Sequence, residues 1–215
     1  MLAVTDLEHC YGDIPVLHVP RLHVDHGEQL AVLGPSGSGK STLLHLLAGV
    51  LTPTRGDIRI GDRALGSLSE AGRDRFRGRH IGLVYQNLHL IAPLTAADNL
   101  ALARYLAGLP PAPKRIDETL AAVGLAGLAQ AQPAQLSQGQ RQRVALARAL
   151  ITEPTLILAD EPTSSLDDAN ATRVARLLVE RAEAAGAALI VTTHDQRLAA
   201  FFARRLTLDG GEVAE

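Results

Sequence analysis

The stretch GPSGSGKST, residues 34–42, decides the fold of this chain. It has a glycine, four residues, a second glycine, a lysine and a serine at the spacing of a phosphate-binding loop. The apolar run QLAVL at 29–33 precedes it, and STLLHLLAGV at 41–50 follows with its leucines at helical spacing, so a strand leads into a helix through the loop. The glycines let backbone N–H groups surround a phosphate, Lys40 supplies positive charge, and the Ser41 hydroxyl can bind Mg²⁺. The sequence therefore predicts a nucleoside triphosphate site.

Length and composition limit the partners of such a site. The 215 residues are 47% hydrophobic but only 3% aromatic, which favours an α/β domain with a core of Ala, Leu, Val and Ile. The net charge of −2 lacks the basic excess of nucleic acid binders, so we expect no nucleic acid partner. Cys10 is the only cysteine, which excludes an internal disulfide and fits a reducing cytoplasm. Because there is neither a secretion signal nor a run of about eighteen apolar residues, we expect neither secretion nor a membrane span.

Strand patterns and helical patterns occupy different parts of the chain. Residues 1–33 contain short alternating runs such as VLHV at 16–19, and DIRIGDR at 57–63 is typical of a hairpin with a Gly-Asp turn. Residues 87–150 are rich in Ala and Leu, lack strand patterns, and contain a proline cluster at 110–113. This change of pattern indicates a helical insertion.

Two later apolar runs end in polar residues. TLILAD at 155–160 and ALIVTTH at 188–194 are typical of buried parallel strands. Because ligands of doubly wound sheets bind at the carboxyl ends of strands, Asp160, Glu161 and His194 are placed to meet whatever the glycine loop holds. Asp160 can bind Mg²⁺ through water, and Glu161 can orient and polarise an attacking water. Two solvated carboxylates at a strand end are the alternative, and the upstream glycine loop favours the hydrolytic role.

The stretch LSQGQ at 136–140 allows two interpretations. Ser137 followed three residues later by Gln140 is an ordinary capping box, which satisfies the first free N–H groups of a helix. The same residues, with Gly139, stand at a helix N-terminus, where an anion can also be held. By itself the pattern favours the cap.

Together these motifs resemble those of the ATP-binding cassette (ABC) ATPase family, and the resemblance covers essentially the whole chain. GPSGSGKST resembles the family's Walker A motif, LILADE at 156–161 its Walker B motif, and LSQGQ its signature. Gln86 in LVYQN resembles the Q-loop glutamine, Asp167 in SSLD the D-loop aspartate, and His194 in VTTHD the switch histidine. Tyr11 in HCYGD resembles the aromatic residue that stacks on adenine.

The resemblance implies a fold, cofactors and site residues. The implied α/β fold has a P-loop NTPase core, an N-terminal antiparallel β subdomain and an inserted helical subdomain, in one domain over 1–215. The catalytic core would comprise 1–86 and 151–215, and the helical subdomain with the signature 87–150. The implied cofactors are ATP and Mg²⁺. The implied catalytic residues are Glu161, His194, Gln86 and Lys40, and the metal ligands are Ser41, Gln86 and Asp160. The implied nucleotide-binding residues are Tyr11, Gly34, Pro35, Ser36, Gly37, Ser38, Gly39, Lys40, Ser41, Thr42, Ser137, Gly139, Gln140 and Asp167.

A second copy of the chain, or a homologous cassette, is the first partner that the resemblance implies, in a dimer that encloses ATP. In this family two cassettes pack head to tail, and the signature of one closes the γ-phosphate site of the other, so Ser137 can be both cap and ligand. Gln138 departs from the family's usual glycine. A side chain directed away from the nucleotide is tolerated, whereas one directed toward it slows closure. We expect tolerance, because Ser137 and Gly139 are retained.

A membrane permease is the second implied partner. One cassette without a membrane span is similar to a separate motor subunit, bound through the permease at the cytoplasmic face of the inner (plasma) membrane. Residues 81–100, IGLVYQNLHLIAPLTAADNL, are most similar to the MacB- and LolD-like export group. An FtsE-like ATPase, which signals without moving a substrate, is the alternative. Leu88, Leu90, Ile91 and Leu94 fit either the core of the helical subdomain or a groove for a cytoplasmic helix of the permease.

Overall fold

A computed structural model describes residues 1–214, and Glu215, the last residue of the predicted domain, lies outside the described residues. The strands are β1 (Leu2–Tyr11), β2 (Ile14–Val24), β3 (Gln29–Leu33), β4 (Arg55–Ile60), β5 (Arg63–Ala64), β6 (Ile81–Val84), β7 (Leu156–Asp160), β8 (Ala188–Thr193), β9 (Arg204–Asp209) and β10 (Glu212–Ala214). The helices are α1 (Lys40–Leu47), α2 (Glu70–His80), α3 (Ala96–Leu106), α4 (Pro113–Ala122), α5 (Gln138–Leu150), α6 (Asp168–Ala184) and α7 (Gln196–Ala199).

Within residues 1–214 the strands form one ten-stranded sheet, in the order β5-β4-β1-β2-β10-β9-β3-β8-β7-β6. Neighbouring strands among β9, β3, β8, β7 and β6 pair in parallel. Neighbouring strands among β5, β4, β1 and β2 pair antiparallel. β10 connects the two regions, because it pairs antiparallel with β9 and parallel with β2. The predicted antiparallel β region is confirmed, and it continues the catalytic sheet rather than forming a separate one.

The elements predicted from sequence patterns are present. VLHV lies within β2, the hairpin at 57–63 is formed by β4 and β5, and the two later apolar runs are β7 and β8. The region predicted to be helical contains α3, α4 and α5, and the proline cluster ends at Pro113, the first residue of α4, where a missing N–H is harmless. Among residues 1–214 no helix is both long and apolar enough to cross a bilayer. α2 and β6 fill a region for which the sequence analysis predicted no element.

The central strands are buried on both faces. In β7, Leu156 and Leu158 join a hydrophobic cluster with β1, β2 and α1, while Ile157 and Ala159 join the opposite cluster. This alternation follows from the two-residue period of a strand. The second cluster also contains side chains of α3, α5 and α6, so the helical segment shares its core with the sheet. That shared core places α5 against β6.

Candidate active site

The glycine loop lies between β3 and α1, where the sequence predicts it. The N-cap of α1 is Gly39, whose φ of 95° falls in the left-handed region that favours glycine. A Cβ at Gly34 would lie 2.2 Å from the Leu208 carbonyl oxygen, so only glycine fits there. Lys40 Nζ donates hydrogen bonds of 2.8 Å to the carbonyl oxygens of Gly34 and of Pro35. The loop is thereby held as a cradle at the N-terminus of a helix, the arrangement that binds phosphate.

The loop residues differ in their access to solvent. Exposed residues include Pro35, Ser36, Gly37 and Ser41. Buried residues include Ser38, Lys40 and Thr42. The exposed hydroxyl of Ser41 is therefore accessible to a ligand, while the buried residues fix the loop on α1.

Strand register brings the acidic residues next to this loop. Leu33, the last residue of β3, pairs with Thr193 of β8, and Asp160, the last residue of β7, pairs with Thr192. The three strands run parallel, so their carboxyl ends meet at one edge of the sheet. The glycine loop and Glu161 follow directly from two of these ends.

Four groups hold the carboxylate of Glu161, which is only 8% exposed. Its Oε1 lies 2.8 Å from His194 Nδ1 and 3.8 Å from Lys40 Nζ. Its Oε2 accepts hydrogen bonds from Thr193 Oγ1 at 3.2 Å and from the His194 backbone N–H at 3.4 Å. The structure thus brings together three of the predicted catalytic residues, Lys40, Glu161 and His194.

The backbone at Glu161 is strained. Its φ is 44°, in the left-handed region that non-glycine residues rarely occupy. The conformation is maintained from both sides, because the Glu161 N–H donates to the Thr192 carbonyl at 3.0 Å and the Glu161 carbonyl accepts from the Ser164 N–H at 3.2 Å. Strain that is maintained in this way is typical of functional sites, where it fixes the direction of one side chain.

The predicted metal ligands lie on three different elements. Thr192 Oγ1 donates to Asp160 Oδ1 at 2.6 Å, which fixes the buried Asp160 carboxylate. Ser41 lies in the first turn of α1. Gln86 is exposed and follows the end of β6 at Val84. This set offers oxygen atoms, which Mg²⁺ prefers.

Tyr11 lies beside the helix that follows the glycine loop. Its hydroxyl is 3.5 Å from Thr42 Oγ1, and 51% of the residue is exposed. The Tyr11 ring also meets the His9 ring at 4.9 Å between centroids, with the two planes nearly perpendicular. An exposed ring at this position is available for stacking on a base.

The signature residues form a helix cap in this structure. Ser137 Oγ accepts a hydrogen bond from the Gln140 N–H at 3.3 Å, and Gln140 Oε1 accepts one from the Ser137 N–H at 2.7 Å. The predicted capping box is therefore confirmed. Among residues 1–214 no hydrogen bond or ion pair joins Ser137, Gly139 or Gln140 to the glycine loop or to Glu161.

Asn170 connects the signature to the predicted D-loop within one chain. Asp167 caps α6 by accepting hydrogen bonds from the Asn170 N–H at 3.0 Å and from Asn170 Nδ2 at 2.6 Å. The backbone hydrogen bond from Asn170 is the main cause that lowers the pKa of the Asp167 carboxyl below its ordinary value. A Cβ at Gly139 would lie 3.1 Å from Asn170 Oδ1, so α5 and α6 approach closely here.

The segment after Gln86 is partly buried and partly open. Leu90 is partly buried and packs against the core cluster of the helical region. Of the two interpretations, core residue or permease contact, the first therefore applies to part of the Leu90 surface. Ile91 is 46% exposed. It lines a groove of about 640 Å³ between α2, the segment after β6, and α3. Exposed apolar groups in this groove, rather than Leu90, are the candidates for contact with another protein.

The sequence analysis missed several residues that organise the site. Thr192 and Thr193 hold Asp160 and Glu161, and the pair of hydroxyls before His194 at the end of a strand could have indicated this role. Arg148 carries no local signal, since it contacts a segment that is distant in the chain. Asn170 stands three residues after Asp167 and contributes to the cap there, but nothing in this spacing indicates its close approach to Gly139.

Comparisons with known proteins agree with this geometry. A protein family described as ABC transporter matches residues 17–164. The lipoprotein-releasing system ATP-binding protein LolD of Chromohalobacter salexigens is 44% identical over 205 residues, which are 94% of this chain and 86% of that protein. A dimeric post-hydrolysis structure of the ATP-binding cassette MJ0796, bound to ADP and Pi, has a TM-score of 0.91 and 35% identity, and the match covers 100% of this chain and 97% of that one. The cbiO1 protein of Clostridium perfringens, part of the ABC transporter complex cbiONQ, has a TM-score of 0.89 and 30% identity, covering 100% of this chain and 86% of that one.

Proposed function

The chain belongs to the ABC transporter family and is an ATPase of that family, and we propose that it is the motor subunit of a LolD-like export system. In this proposal two copies close head to tail around two ATP molecules and drive a separate membrane permease. The observation that carries it is the convergence of Lys40, Glu161 and His194 beside the glycine loop. The 44% identity to a LolD protein favours export over FtsE-like signalling.

ATP binding is assigned to two regions. The glycine loop and the N-terminus of α1 receive the phosphates, and Lys40, already beside the loop carbonyls, provides the positive charge. The exposed ring of Tyr11 stacks on the adenine. The phosphates and the base are therefore bound by separate groups, joined through the Tyr11–Thr42 contact.

Asp160, Ser41 and Gln86 are the residues that would hold Mg²⁺. The fit rests on Asp160, whose Oδ1 is occupied by Thr192 while the other carboxylate oxygen remains as a ligand for a hard cation. When bound, Mg²⁺ neutralises charge on the β- and γ-phosphates.

Glu161 acts as the base that polarises the attacking water, and His194 acts on the γ-phosphate. Thr193 and the backbone N–H of His194 fix one oxygen of the Glu161 carboxylate, and the His194 ring contacts the other. Because Nδ1 of His194 faces the Glu161 carboxylate, the second ring nitrogen, Nε2, is left to hydrogen-bond a phosphate oxygen.

The second half of each ATP site is assigned to the partner copy. The Ser137 hydroxyl and the N–H groups at the start of α5 form an anion site, and within residues 1–214 Ser137 forms its hydrogen bonds only with Gln140 and Arg141 of the same helix. The related MJ0796 cassette, 35% identical, was solved as a dimer. Head-to-tail pairing would bring Ser137 of one copy to the γ-phosphate held by the other.

The permease contact is assigned to the groove beside α3. Ile91 and Leu106, which are 46% and 68% exposed, line this groove together with Leu102. Apolar side chains in an open groove favour an apolar helix as their partner. Binding there would hold the chain at the cytoplasmic face of the inner membrane, next to the segment that carries Gln86.

Site-directed crosslinking in native membranes tests this proposal. Cys10→Ser provides a cysteine-free background, into which Ile91→Cys is introduced. The matched control is Ile14→Cys, because Ile14 is also exposed but lies on β2, toward the opposite edge of the sheet. We expect Ile91→Cys, and not Ile14→Cys, to crosslink to an integral membrane protein. Proteoliposomes of that protein and this chain should then release lipoprotein when ATP and Mg²⁺ are added.

Each step has an outcome that contradicts one part of the proposal. A wild-type chain that hydrolyses no ATP would contradict the motor function. A crosslink to a soluble protein, or equal crosslinking from both positions, would contradict the groove assignment. ATP hydrolysis that is stimulated by the membrane protein without release of cargo would support FtsE-like signalling instead of export.

A further inference from the structure

Arg148 of α5 holds the backbone just after Gln86. Its two terminal nitrogens donate to consecutive carbonyls, Nη2 to Leu88 at 2.7 Å and Nη1 to His89 at 2.5 Å. A planar guanidinium can hold two acceptors at a fixed separation, which a lysine ammonium cannot do. Arg148 therefore fixes both the position and the direction of this part of the segment.

The surroundings of Arg148 indicate that this contact has a specific role. Burial lowers the pKa of the Arg148 guanidinium from its ordinary value, while neighbouring Tyr85 opposes that shift. Among residues 1–214 no carboxylate forms an ion pair with Arg148, so its hydrogen-bond partners are the two backbone carbonyls. Placing a cation in such surroundings is costly, and a purely structural contact could be made by an apolar side chain at less cost.

The segment itself is held in a strained conformation. His89 has a φ of 48°, in the left-handed region, and its ring meets the Tyr85 ring nearly at a right angle, with 5.1 Å between centroids. A second side chain, that of buried Asn99, accepts from the Ile91 N–H at 2.8 Å. Arg148 and Asn99 thus clamp the segment on both sides of Leu90. Maintained strain of this kind points to a functional position.

The helix that carries Arg148 begins at the signature. Ser137 caps α5, and Arg148 lies eleven residues further along, about 16 Å at 1.5 Å per residue. Because α5 is continuous from Gln138 to Leu150, a shift of the cap would be transmitted to Arg148. Arg148 passes such a shift to the backbone that begins two residues after Gln86.

We propose that Arg148 is a positioning residue for Gln86, coupling the signature end of α5 to the Q-loop through the carbonyls of Leu88 and His89. The inference rests on the proposed function, in which Gln86 contacts Mg²⁺ or the attacking water and Ser137 contacts the partner's ATP. It assigns the link between these two sites to Arg148, a half-buried cation. Loss of that cation leaves both sites present but places Gln86 incorrectly.

A double-mutant cycle on ATP hydrolysis tests this role. Arg148→Met keeps the length of the side chain and removes the two hydrogen bonds, and it is combined with Gln86→Ala. We expect Arg148→Met alone to lower kcat about tenfold with the KM for ATP changed less than about twofold. We expect Gln86→Ala to lower kcat at least as much. The double variant should equal Gln86→Ala within about twofold, because a residue that acts through Gln86 has no effect without it.

Buried Arg104 provides the matched control. It also donates to backbone carbonyls, those of Pro110 and Ile151, but among residues 1–214 it forms no hydrogen bond with the segment after Gln86. Arg104→Met should lower the melting temperature as Arg148→Met does and leave kcat near wild type. Arg148→Lys retains the positive charge but cannot donate to both carbonyls from a planar guanidinium. It is tested in the same double-mutant cycle, so that the role of Arg148 can still be decided if Arg148→Met does not fold.

The outcomes separate this inference from the proposed function. Wild-type chain without ATPase activity would overturn the proposed function itself. With an active wild type, three results would each overturn the coupling role of Arg148. The first is a double variant whose loss of kcat is the product of the two single losses. The second is an unchanged kcat in folded Arg148→Met or Arg148→Lys, and the third is an equal loss of kcat in Arg104→Met. Unchanged kcat in Gln86→Ala would also overturn it, because Arg148 would then have no group to position.

Discussion

Two regions, the edge of the sheet that carries Glu161 and the N-terminus of α5, differ in how many contacts their functional groups make within one chain. The Glu161 carboxylate is buried and contacts Lys40, Thr193 and His194, all of the same chain. Ser137, by contrast, is exposed, and among the residues that the structure describes its hydroxyl hydrogen-bonds only within its own helix cap. One chain therefore brings together the groups proposed for hydrolysis, whereas in the proposed function the signature meets the nucleotide that a second copy holds. Substitutions in the two regions should fail in different ways.

The largest effect is expected at Glu161. Glu161→Gln keeps the size of the side chain but replaces the basic carboxylate with a neutral amide, so ATPase activity should fall about 10²- to 10⁴-fold. ATP binding should remain, since Glu161 is not a phosphate ligand in the proposal. An ATP-bound dimer should therefore accumulate, visible by sizing chromatography with ATP and Mg²⁺.

Lys40→Ala gives the contrast for this experiment. It removes the positive charge that faces the phosphates, so nucleotide affinity and turnover should both be lost. Undiminished hydrolysis by Glu161→Gln would show that another group activates the water. Equal loss of nucleotide affinity in both variants would show that Glu161 supports the fold of the loop instead.

An intermediate effect is expected at Ser137, and a second serine provides its control. Ser69 Oγ accepts from the Gly72 N–H at 3.2 Å at the start of α2, as Ser137 Oγ accepts from the Gln140 N–H at 3.3 Å at the start of α5. Ser69→Arg and Ser137→Arg each remove a cap, which costs about 1 kcal/mol of stability. Only Ser137→Arg should lower ATPase activity, by roughly tenfold to a hundredfold, because it removes a hydrogen bond to a charged group.

Dimerisation is the decisive measurement for this pair. Ser137→Arg should bind ATP with wild-type affinity and yet form no dimer with ATP, even when combined with Glu161→Gln. If it still dimerises, or if Ser69→Arg loses as much activity, then Ser137 is a helix cap and nothing more, and the contrast between the two regions disappears.

The two regions also differ in how far sequence alone could predict them. The glycine loop, Asp160, Glu161 and His194 were predictable, because each stands at the end of a short apolar run and strand ends converge in a parallel sheet. Thr193 was missed although its hydroxyl stands directly before His194 at the end of a strand. Arg148 was not predictable, since its partner lies 60 residues away and nothing in the spacing indicates the contact. α2 was missed because its residues 70–80 are mostly charged and none of them is buried, so no apolar stripe marks the helix.

The smallest effect is expected at Gln138, where this chain departs from the family's usual glycine. Gln138 is exposed at the first position of α5, whereas the close approach to α6 occurs one residue later, at Gly139. A side chain at 138 therefore has room that a side chain at 139 lacks. Gln138→Gly should change ATPase activity less than about threefold and lower stability by less than about 1 kcal/mol, the cost of glycine in a helix.

Gly139→Ala sharpens this last prediction. Its Cβ would lie 3.1 Å from Asn170 Oδ1, and Asn170 is tied to Asp167 by two hydrogen bonds, so the side chain cannot move without disturbing the D-loop cap. ATP-driven dimerisation should therefore weaken more in Gly139→Ala than in Gln138→Gly. An ATPase rate that rises tenfold in Gln138→Gly would show instead that the glutamine crowds the γ-phosphate and slows closure. In that case the signature of this chain would limit its own turnover, and the tight position would be residue 138 rather than residue 139.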